Sequence, residues 1–532
     1  SGEGVSQSAI AQCRAQLGDA VPQAVLVVAA GEFDLGQIGT TVRLAWPGVA
    51  VVGCSSAGDF SSALGFDEDS VLLLCLAGDE LLITAGVVRD LSGTPPQELE
   101  SKLRAALEAA RLPGAPPESL CLLFPAGLSH GLESILETLQ PLLAPGCIMF
   151  GGLSGLPPSA DRAGSMQLFG EASLRDSMPL LLVSGRRGPV DYGFSVSNSW
   201  TPVGARQTVT SAQGYTIHRI GQRTALDFYR YYLGSHGLPS PEFPLAVFQP
   251  EGDSFALRVP IHADLQTGSI TYTSLIPEGS CVQLTEVVRA RLLDQIPEAV
   301  ARARAQLVTQ PAVALAFSCM TRRQILASQT HQEVQCIRQQ LPPNVPLFGF
   351  YALGEIAPLV RGGPSLLHSS SLVTLLLGSP EPATSRPLPC APPSAAPEPP
   401  APPAIRELFR TATSRYEDLL SVACATEPEL LRRRFARAEL ALQRMEASKD
   451  LSSTLLRTIN FEIDAARRVI EEQNATLSRF NAQLAEEKSK SDQLLLNILP
   501  TDVADELKRS GHIKPVYYAS TSVLFTNFTG FT

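Results

Sequence analysis

Up to about residue 378, short apolar runs alternate with stretches whose apolar positions keep helical spacing, and one plan recurs three times. In the first copy an apolar run at 24–28 leads to a helical stretch at about 35–45, a Pro47-Gly48 turn, a second apolar run and the sequence Gly53-Cys54-Ser55-Ser56-Ala57-Gly58. In the second, a run at 120–124 leads to a helix at about 131–143, Pro145-Gly146, another run and Gly151-Gly152-Leu153-Ser154-Gly155. In the third, a run at 313–317 leads to a helix at about 323–341, Pro343-Asn344, another run and Gly349-Phe350-Tyr351-Ala352-Leu353-Gly354. Each copy is followed by one more apolar run, starting at 71, 178 and 372. Pro-Gly and Pro-Asn pairs release a helix into a strand. The pattern predicts an α+β (mixed α/β) fold of repeated strand–helix–strand units. The three glycine segments are expected as loops at equivalent places, where glycine permits tight turns and close approach of a ligand. The bland alternative is tight turns that hold nothing. None contains Gly-Lys-Ser/Thr or GxGxxG, so no nucleotide site is expected there.

Residues 379–404 are dominated by proline, with Ala and Ser between. Proline lacks the backbone donor and fixes φ, so the segment reads as a semi-rigid linker, about 80 Å long if fully extended. From about 405 the chain becomes helical. Leu456, Ile463, Ile470, Leu477, Leu484, Ser491 and Ile498 fall seven apart, and Ile459, Ala466, Gln473, Phe480, Glu487 and Leu494 fall three after them. This a/d stripe predicts a dimeric coiled coil from about 450, whose polar positions Gln473, Glu487 and Ser491 cost stability and fix register. The alternative is a long amphipathic helix packed on its own domain. Pro500 should end it.

Composition narrows the function classes. Lys and Arg number 42 against 52 Asp and Glu, a formal net charge of −10. That argues against a nucleic-acid partner, which needs a basic excess to neutralise phosphates, and against an anionic membrane surface. The ten cysteines form no CxxC pair and no cluster at zinc spacing. Several, such as Cys75 and Cys121, lie inside apolar runs, as buried thiols do in a reducing, cytoplasmic compartment. No apolar run approaches the roughly 18 residues of a membrane span, and no basic stretch leading into an apolar one opens the chain. The chain starts at Ser1 and stops inside a strand-like run, so it reads as a fragment of a longer protein.

Seven segments then occur in order: VVGCSSAG (51–58), FGGLSG (150–155), IGQRTALDFYRYYLG (220–234), FALRVPI (255–261), IPEGSCVQL (276–284), FSCMTRR (317–323) and GFYALGEIAP (349–358). Together they resemble the signature segments of FIST proteins. The resemblance spans about residues 20–378, with an N-terminal half (1–190) and a C-terminal half (191–378). It implies an intracellular sensory region for a small ligand, with amino acids as the candidate class. One departure concerns the segment before the last strand, where the family tends to carry His-Asn-x-Thr and this chain has His368 followed by Ser369, Ser370 and Ser371. The candidate ligand-binding residues are Gly53, Cys54, Ser55, Gly58, Gly151, Gly152, Arg258, Cys319, Arg322, Gly349, Tyr351, Gly354 and Glu355. Arg258, Arg322 and the adjacent Arg323 are candidates because guanidinium groups can grip a carboxylate bidentately, and Glu355 because it can take an amine. Each arginine reads equally well as half of a structural ion pair. An enzymatic reading would make Cys54 or Cys319 a nucleophile, but none of the seven histidines sits in a readable motif to serve as its base.

LLLNILPTDVADELKRSGHIKP (494–515) and STSVLFTNFTGFT (520–532) resemble the entry helices and opening strand of a class III adenylate/guanylate cyclase domain, here the truncated start (500–532) of a ferredoxin-like fold. In that family two Asp carboxylates hold two divalent ions, Mg or Mn, which activate the 3′-hydroxyl and neutralise the triphosphate. The first Asp belongs two residues after Phe525, where this chain has Asn527. This stretch lacks a complete active site and needs no cofactor of its own. The expectation is a signalling protein in which a FIST region acts through a homodimeric coil on a cyclase that uses ATP or GTP. The alternative is a non-catalytic, dimerising regulatory protein.

Overall fold

The apolar runs of the repeats are strands buried on both faces, so they read as unbroken hydrophobic stretches. The computed structural model describes residues 2–127, 131–155, 164–235, 237–249, 253–378, 428–499, 501–513 and 520. The linker at 379–404, the stretch at 405–427 and the strand-like run at 521–532, with Phe525 and Asn527, lie outside these. Two units divide the chain, Ser1–Arg457 and Thr458–Thr532.

In the first unit α1 (Gly2–Leu17) precedes repeat one: β1 (Ala24–Ala30), α2 (Leu35–Ala45), β2 (Ala50–Ser56), a hairpin of β3 (Asp59–Ser61) and β4 (Gly65–Asp67), and β5 (Val71–Leu76). β6 (Leu81–Val88) and α3 (Pro96–Ala110) lead to repeat two: β7 (Leu120–Leu123), α4 (Leu132–Leu139), β8 (Ile148–Gly152), a hairpin of β9 (Gln167–Phe169) and β10 (Ala172–Leu174), and β11 (Met178–Gly185). β12 (Tyr192–Ser197) enters an insert made of β13 (Trp200–Gln213), β14 (Thr216–Ile220), β15 (Arg223–Thr224), α5 (Ala225–Leu233), β16 (Leu245–Phe248), β17 (Phe255–Arg258), β18 (Pro260–Ala263), β19 (Ile270–Tyr272) and β20 (Cys281–Val287). After α6 (Arg289–Asp294) and α7 (Ile296–Arg304) comes repeat three: β21 (Pro311–Cys319), α8 (Met320–Leu326), α9 (Thr330–Gln339), β22 (Leu347–Ala352), a hairpin of β23 (Glu355–Pro358) and β24 (Ser365–His368), and β25 (Leu372–Gly378).

Each repeat forms the same three-strand unit. The first two strands run parallel, and the last lies antiparallel to the first. The hairpins do not stay at home. The hairpin of repeat one extends the sheet of repeat three through β3 and β22, that of repeat two extends the sheet of repeat one through β9 and β2, and that of repeat three extends the sheet of repeat two through β23 and β8. The result is a closed exchange among three sheets. Their inner faces meet in one core that includes Leu26, Val28, Leu122, Phe150, Leu315 and Phe350. Their outer faces are covered by α1 and α2, by α3 and α4, and by α7 and α9. The insert is a separate antiparallel sheet in the order β17-β16-β20-β13-β14-β19-β18, with β15 on β14.

Two expectations need correction. Gly53, Gly151, Gly152 and Gly349 are strand residues, not loop residues. Gly53 pairs with Val27, Gly151 with Leu123 and Gly349 with Ala316 at equivalent registers. A Cβ on Gly53 or Gly151 would lie 1.9 Å from the carbonyl oxygen of Val27 or Leu123. Glycine is needed there for backbone approach within the sheet rather than for a turn. The helix expected at about 323–341 begins instead at Met320 and breaks at Ala327, which has a φ of 48°. On one straight helix Arg322 and Glu333 would stand about 16 Å apart along the axis. The break lets them meet at 2.6 Å.

A single long helix, α10 (Pro428–Ile498), begins in the first unit, where Leu455 is fully buried. In the second unit it carries the expected stripe, and Ile463, Ile470, Leu477, Phe480, Leu484 and Leu494 stand exposed along it. It stops just before Pro500, and α11 (Thr501–Ser510) follows, with Lys508 ion-paired to Asp492 at 2.9 Å. Among the described residues no helix is long and apolar enough to cross a membrane.

The close approach in the sheets predicts that Gly151→Ala destabilises the protein by at least about 2 kcal/mol, because the added methyl meets backbone that cannot swing aside. Gly4→Ala, in open space on α1, should change stability by less than about 1 kcal/mol. Urea unfolding of the two variants makes the comparison.

Candidate functional site

The C-terminal ends of β2, β8 and β22 converge and exchange backbone hydrogen bonds. Gly155 N–H donates to the Ser55 carbonyl at 2.9 Å, Leu153 N–H to Gly354 at 2.9 Å, Leu353 N–H to Leu153 at 3.2 Å, Ala57 N–H to Tyr351 at 3.1 Å and Tyr351 N–H to Gly58 at 2.9 Å. Beside this junction lies a buried polar network. Arg322 Nε and Nη2 both donate to Glu333 Oε1, at 2.8 and 2.6 Å, and Nη2 also donates to the Leu292 carbonyl at 2.9 Å. Tyr351 Oη and Ser318 Oγ donate to the other Glu333 oxygen. Next to it, Glu355 Oε2 accepts from Ser371 Oγ at 2.6 Å and Ser371 N–H at 3.2 Å. Glu355 Oε1, Arg322 Nη1 and Ser370 Oγ are buried without a hydrogen-bond partner among the described residues. Ser370 also holds a φ of 60°, a left-handed conformation that is strained for a residue other than glycine.

Burial sets the protonation of this network. It pushes the Glu355 carboxyl up to about 8, against the pull of Ser371 and Arg322, and the Cys319 thiol up to about 12. Burial also raises the Cys54 thiol well above its ordinary range. Asp59, which accepts from Ser56 and Ser70, is pushed up to about 7 by burial. Two protonated buried thiols offer no nucleophile, which speaks against the enzymatic reading of Cys54 and Cys319.

A second polar group sits where the insert meets the repeats. Arg258, at the end of β17, has side-chain exposure of 17%, and its Nη2 lies 3.9 Å from Glu133 in the first turn of α4, itself 20% exposed. Arg258 Nη1 donates to the Leu257 carbonyl, and its buried Nε has no partner among the described residues. Burial lowers the Arg258 pKa, with Glu133 opposing. Thr273 Oγ1 and Ser369 Oγ lie 3.4 Å apart across the same seam, and Gly131 N–H donates to Tyr215 Oη at 2.7 Å. His368 Nε2 donates to the Ala357 carbonyl at 2.9 Å, and burial lowers its pKa to about 4, so it is neutral.

Residues 23–223 match the FIST N domain and residues 225–358 the FIST C domain. The chain carries both FIST domains. An uncharacterized protein of Mycobacterium tuberculosis (strain H37Rv) is 31% identical over 263 residues, 47% of this chain and 65% of that protein. One of Mycobacterium bovis is 29% identical over 240 residues, 42% of this chain and 58% of that protein. The chain therefore spans about three fifths of the length of these relatives. Retinal guanylyl cyclase 1 of Mus musculus is 31% identical over 97 residues, 16% of this chain and 9% of that protein. A receptor-type guanylate cyclase of Caenorhabditis elegans is 37% identical over 59 residues, 11% of this chain and 6% of that protein.

Within the FIST region the structure brings Arg322 and Tyr351 together on Glu333, with Cys319 and Glu355 buried beside them and Gly152 paired opposite Glu355. Ser55, Gly58 and Gly354 lie at the junction of strand ends. Gly53, Cys54, Gly151 and Gly349 lie within the strands, and Arg258 stands apart at the seam. Arg323 is spent on Glu68 and the Ala57 carbonyl. Sequence reasoning missed Glu133, Glu333 and Asp59. Asp59 had a signal, being a carboxylate directly after the first glycine segment in an apolar setting. Glu133 and Glu333 had none, because their partners lie in other elements.

The folded chain holds the Glu355 and Asp59 protons more tightly than the unfolded chain. Their contribution to stability is therefore complete below the ordinary carboxylate range and is lost as pH rises through about 7 to 8. Glu355→Gln should flatten the fall in unfolding free energy between about pH 5 and about pH 8. Urea titrations across that window test it, and slopes parallel to wild type would count against a protonated Glu355.

Proposed function

We propose that this chain is the sensing and transmitting part of a signal-transduction protein, in which the FIST region binds a small zwitterionic ligand, an α-amino acid, at the seam between the insert and the repeats. The observation that carries the reading is the loose pairing of Arg258 and Glu133. At 3.9 Å and partly exposed, the two groups are neither spent on each other nor buried out of reach. An α-carboxylate entering between them would gain a charge-assisted bond to Arg258, and the α-ammonium would gain Glu133. Arg322 is the poorer candidate, since Glu333 already occupies its fork.

The route to the output runs through α10. Its 450–455 turn rests on the loop that follows α5, where Gly234 meets Thr454, and a cavity of about 550 Å³ opens between Leu233, Leu238, Asp450 and Leu451. The insert thus touches the helix directly, without recourse to the proline spacer. The exposed heptad stripe supports pairing of α10 with the same helix of a second copy, because a stripe of that length left in water is costly. The sequence at 494–515 and 520–532 and the partial guanylyl cyclase similarity support a cyclase output in the complete protein. Asn527, where a metal-holding Asp is required, favours a second reading in which that end is a non-catalytic, dimerising module.

A thermal-shift screen of the chain with the twenty amino acids at millimolar concentration tests the ligand. At least one should raise Tm, and Arg258→Ala should abolish the shift while leaving the ligand-free Tm within about 2 °C of wild type. If no amino acid moves Tm, the sensing claim fails. Sedimentation equilibrium tests the pairing: wild type should show twice the chain mass, and Ile470→Glu should be monomeric at the same concentration. A monomeric wild type would remove the coil from the mechanism.

A further inference from the structure

Helix α1 precedes the residues matched by the FIST N domain and packs over β5, the edge strand of the first sheet. Cys13 on α1 and Cys75 on β5 share the layer formed by Ile10, Leu35, Ile38 and Trp46. Cys13 Sγ donates to the Leu73 carbonyl oxygen at 4.0 Å, and Leu73 and Cys75, two residues apart on β5, pack against the same cluster as Cys13, which sets the two thiols side by side. Both are free and only partly buried, whereas Cys54, Cys121, Cys147 and Cys319 are buried. Two free thiols on different elements, packed in one layer and within reach of solvent, are placed for a disulfide to join them. We infer that Cys13 and Cys75 form a peroxide-responsive dithiol that closes to a disulfide and fastens α1 to the first sheet.

Cys13 lies on the helix that covers the sheet edge. The neighbouring Cys75 side chain holds the Cys13 thiol below its ordinary value, while Cys13 and burial raise Cys75, so Cys13 is taken as the attacking thiol. Cys13 loses its proton to solvent and its thiolate attacks one oxygen of hydrogen peroxide. The O–O bond breaks, and the departing hydroxide takes the Cys75 proton as water, leaving Cys13 as a sulfenic acid. The Cys75 thiolate attacks the Cys13 sulfur, the S–S bond forms and the S–O bond breaks. The second hydroxide takes up the proton Cys13 first released. Two thiols lose two electrons and one peroxide becomes two waters. In a reducing compartment such a bond is transient, as befits a sensor rather than a staple.

The test uses the whole chain, treated with hydrogen peroxide, blocked with iodoacetamide and mapped by mass spectrometry without reduction. The expected product is the Cys13 peptide joined to the Cys75 peptide, reversed by dithiothreitol, with Tm raised on the order of 5 °C in the oxidised form. Cys75→Ser should stop at a Cys13 sulfenic acid that dimedone traps, and Cys13→Ser should give neither product. The inference is overturned if peroxide leaves Cys13 as alkylatable as before, or if Cys13 links only to a cysteine of another chain. It is equally overturned if Cys75→Ser leaves the fate of Cys13 unchanged.

Discussion

Three times in this fold one strand passes its parallel neighbour at a distance only glycine tolerates. At Gly53 and Gly151 the missing Cβ would intrude on a backbone carbonyl, and at Gly349 it would meet the Phe60 ring at 2.2 Å as well as the Ala316 carbonyl. The approach lets the ends of β2, β8 and β22 converge and share backbone hydrogen bonds. From that junction each hairpin pairs with the sheet of a neighbouring repeat. Every repeat then covers the second strand of another repeat, which would otherwise expose unpaired donors and acceptors. Stability is held in common, and no repeat is a separable module.

The polar network follows from the same convergence. The junction crowds the ends of β21, β22 and β23 against the 368–371 segment, and a charge can survive there only if paired. Arg322 and Glu333 satisfy that condition, and losing either would strand the other in a dry interior at a cost of about 3–5 kcal/mol. Glu355 has no cation bonded to it, so it keeps its proton. The 368–371 segment connects this interior to the seam: Ser369 faces Thr273 of the insert, Ser371 holds Glu355, and strained Ser370 lies between. Strain of that kind persists only where surrounding contacts over-determine the backbone.

Much of the secondary structure was legible in the sequence. The run at 178 and the helix at 35–45 were readable because a strand buried on both faces is continuously apolar, and because α2 keeps its apolar positions at helical spacing. What hydrophobic pattern cannot carry is partnership. The hairpin strands β3, β9 and β23, three or four residues each, are too short to show a period, and nothing in the pattern says that each pairs with another repeat. The glycines were misread for a related reason: one symbol serves both a left-handed turn and a close approach within a sheet. The break at Ala327 was hidden because the pairing it permits, Arg322 with Glu333, is tertiary. Of the candidate site residues, the sequence singled out Arg258 and Glu355 by chemistry alone, but it carried nothing that could pair Arg258 with Glu133, more than a hundred residues earlier.

The geometry also bears on how a signal could leave the sensing region. A polyproline spacer transmits torque poorly, so a mechanism routed along 379–404 would lose directional information before reaching α10. The contact of the 450–455 turn with the loop after α5 avoids that loss. The α5 helix is rigidly seated: Thr224 caps it, and Phe228, Tyr229 and Tyr232 are buried beneath it. The insert strands that carry Arg258 belong to the same sheet system. A ligand that draws Arg258 towards α4 would therefore move the insert and α5 with it, presenting the 450–455 turn of α10 with a displaced surface. Interfaces of this kind hold discrete packed arrangements rather than deforming continuously. A small shift at the seam would then bear on Leu451 and Thr454, where α10 meets the loop after α5.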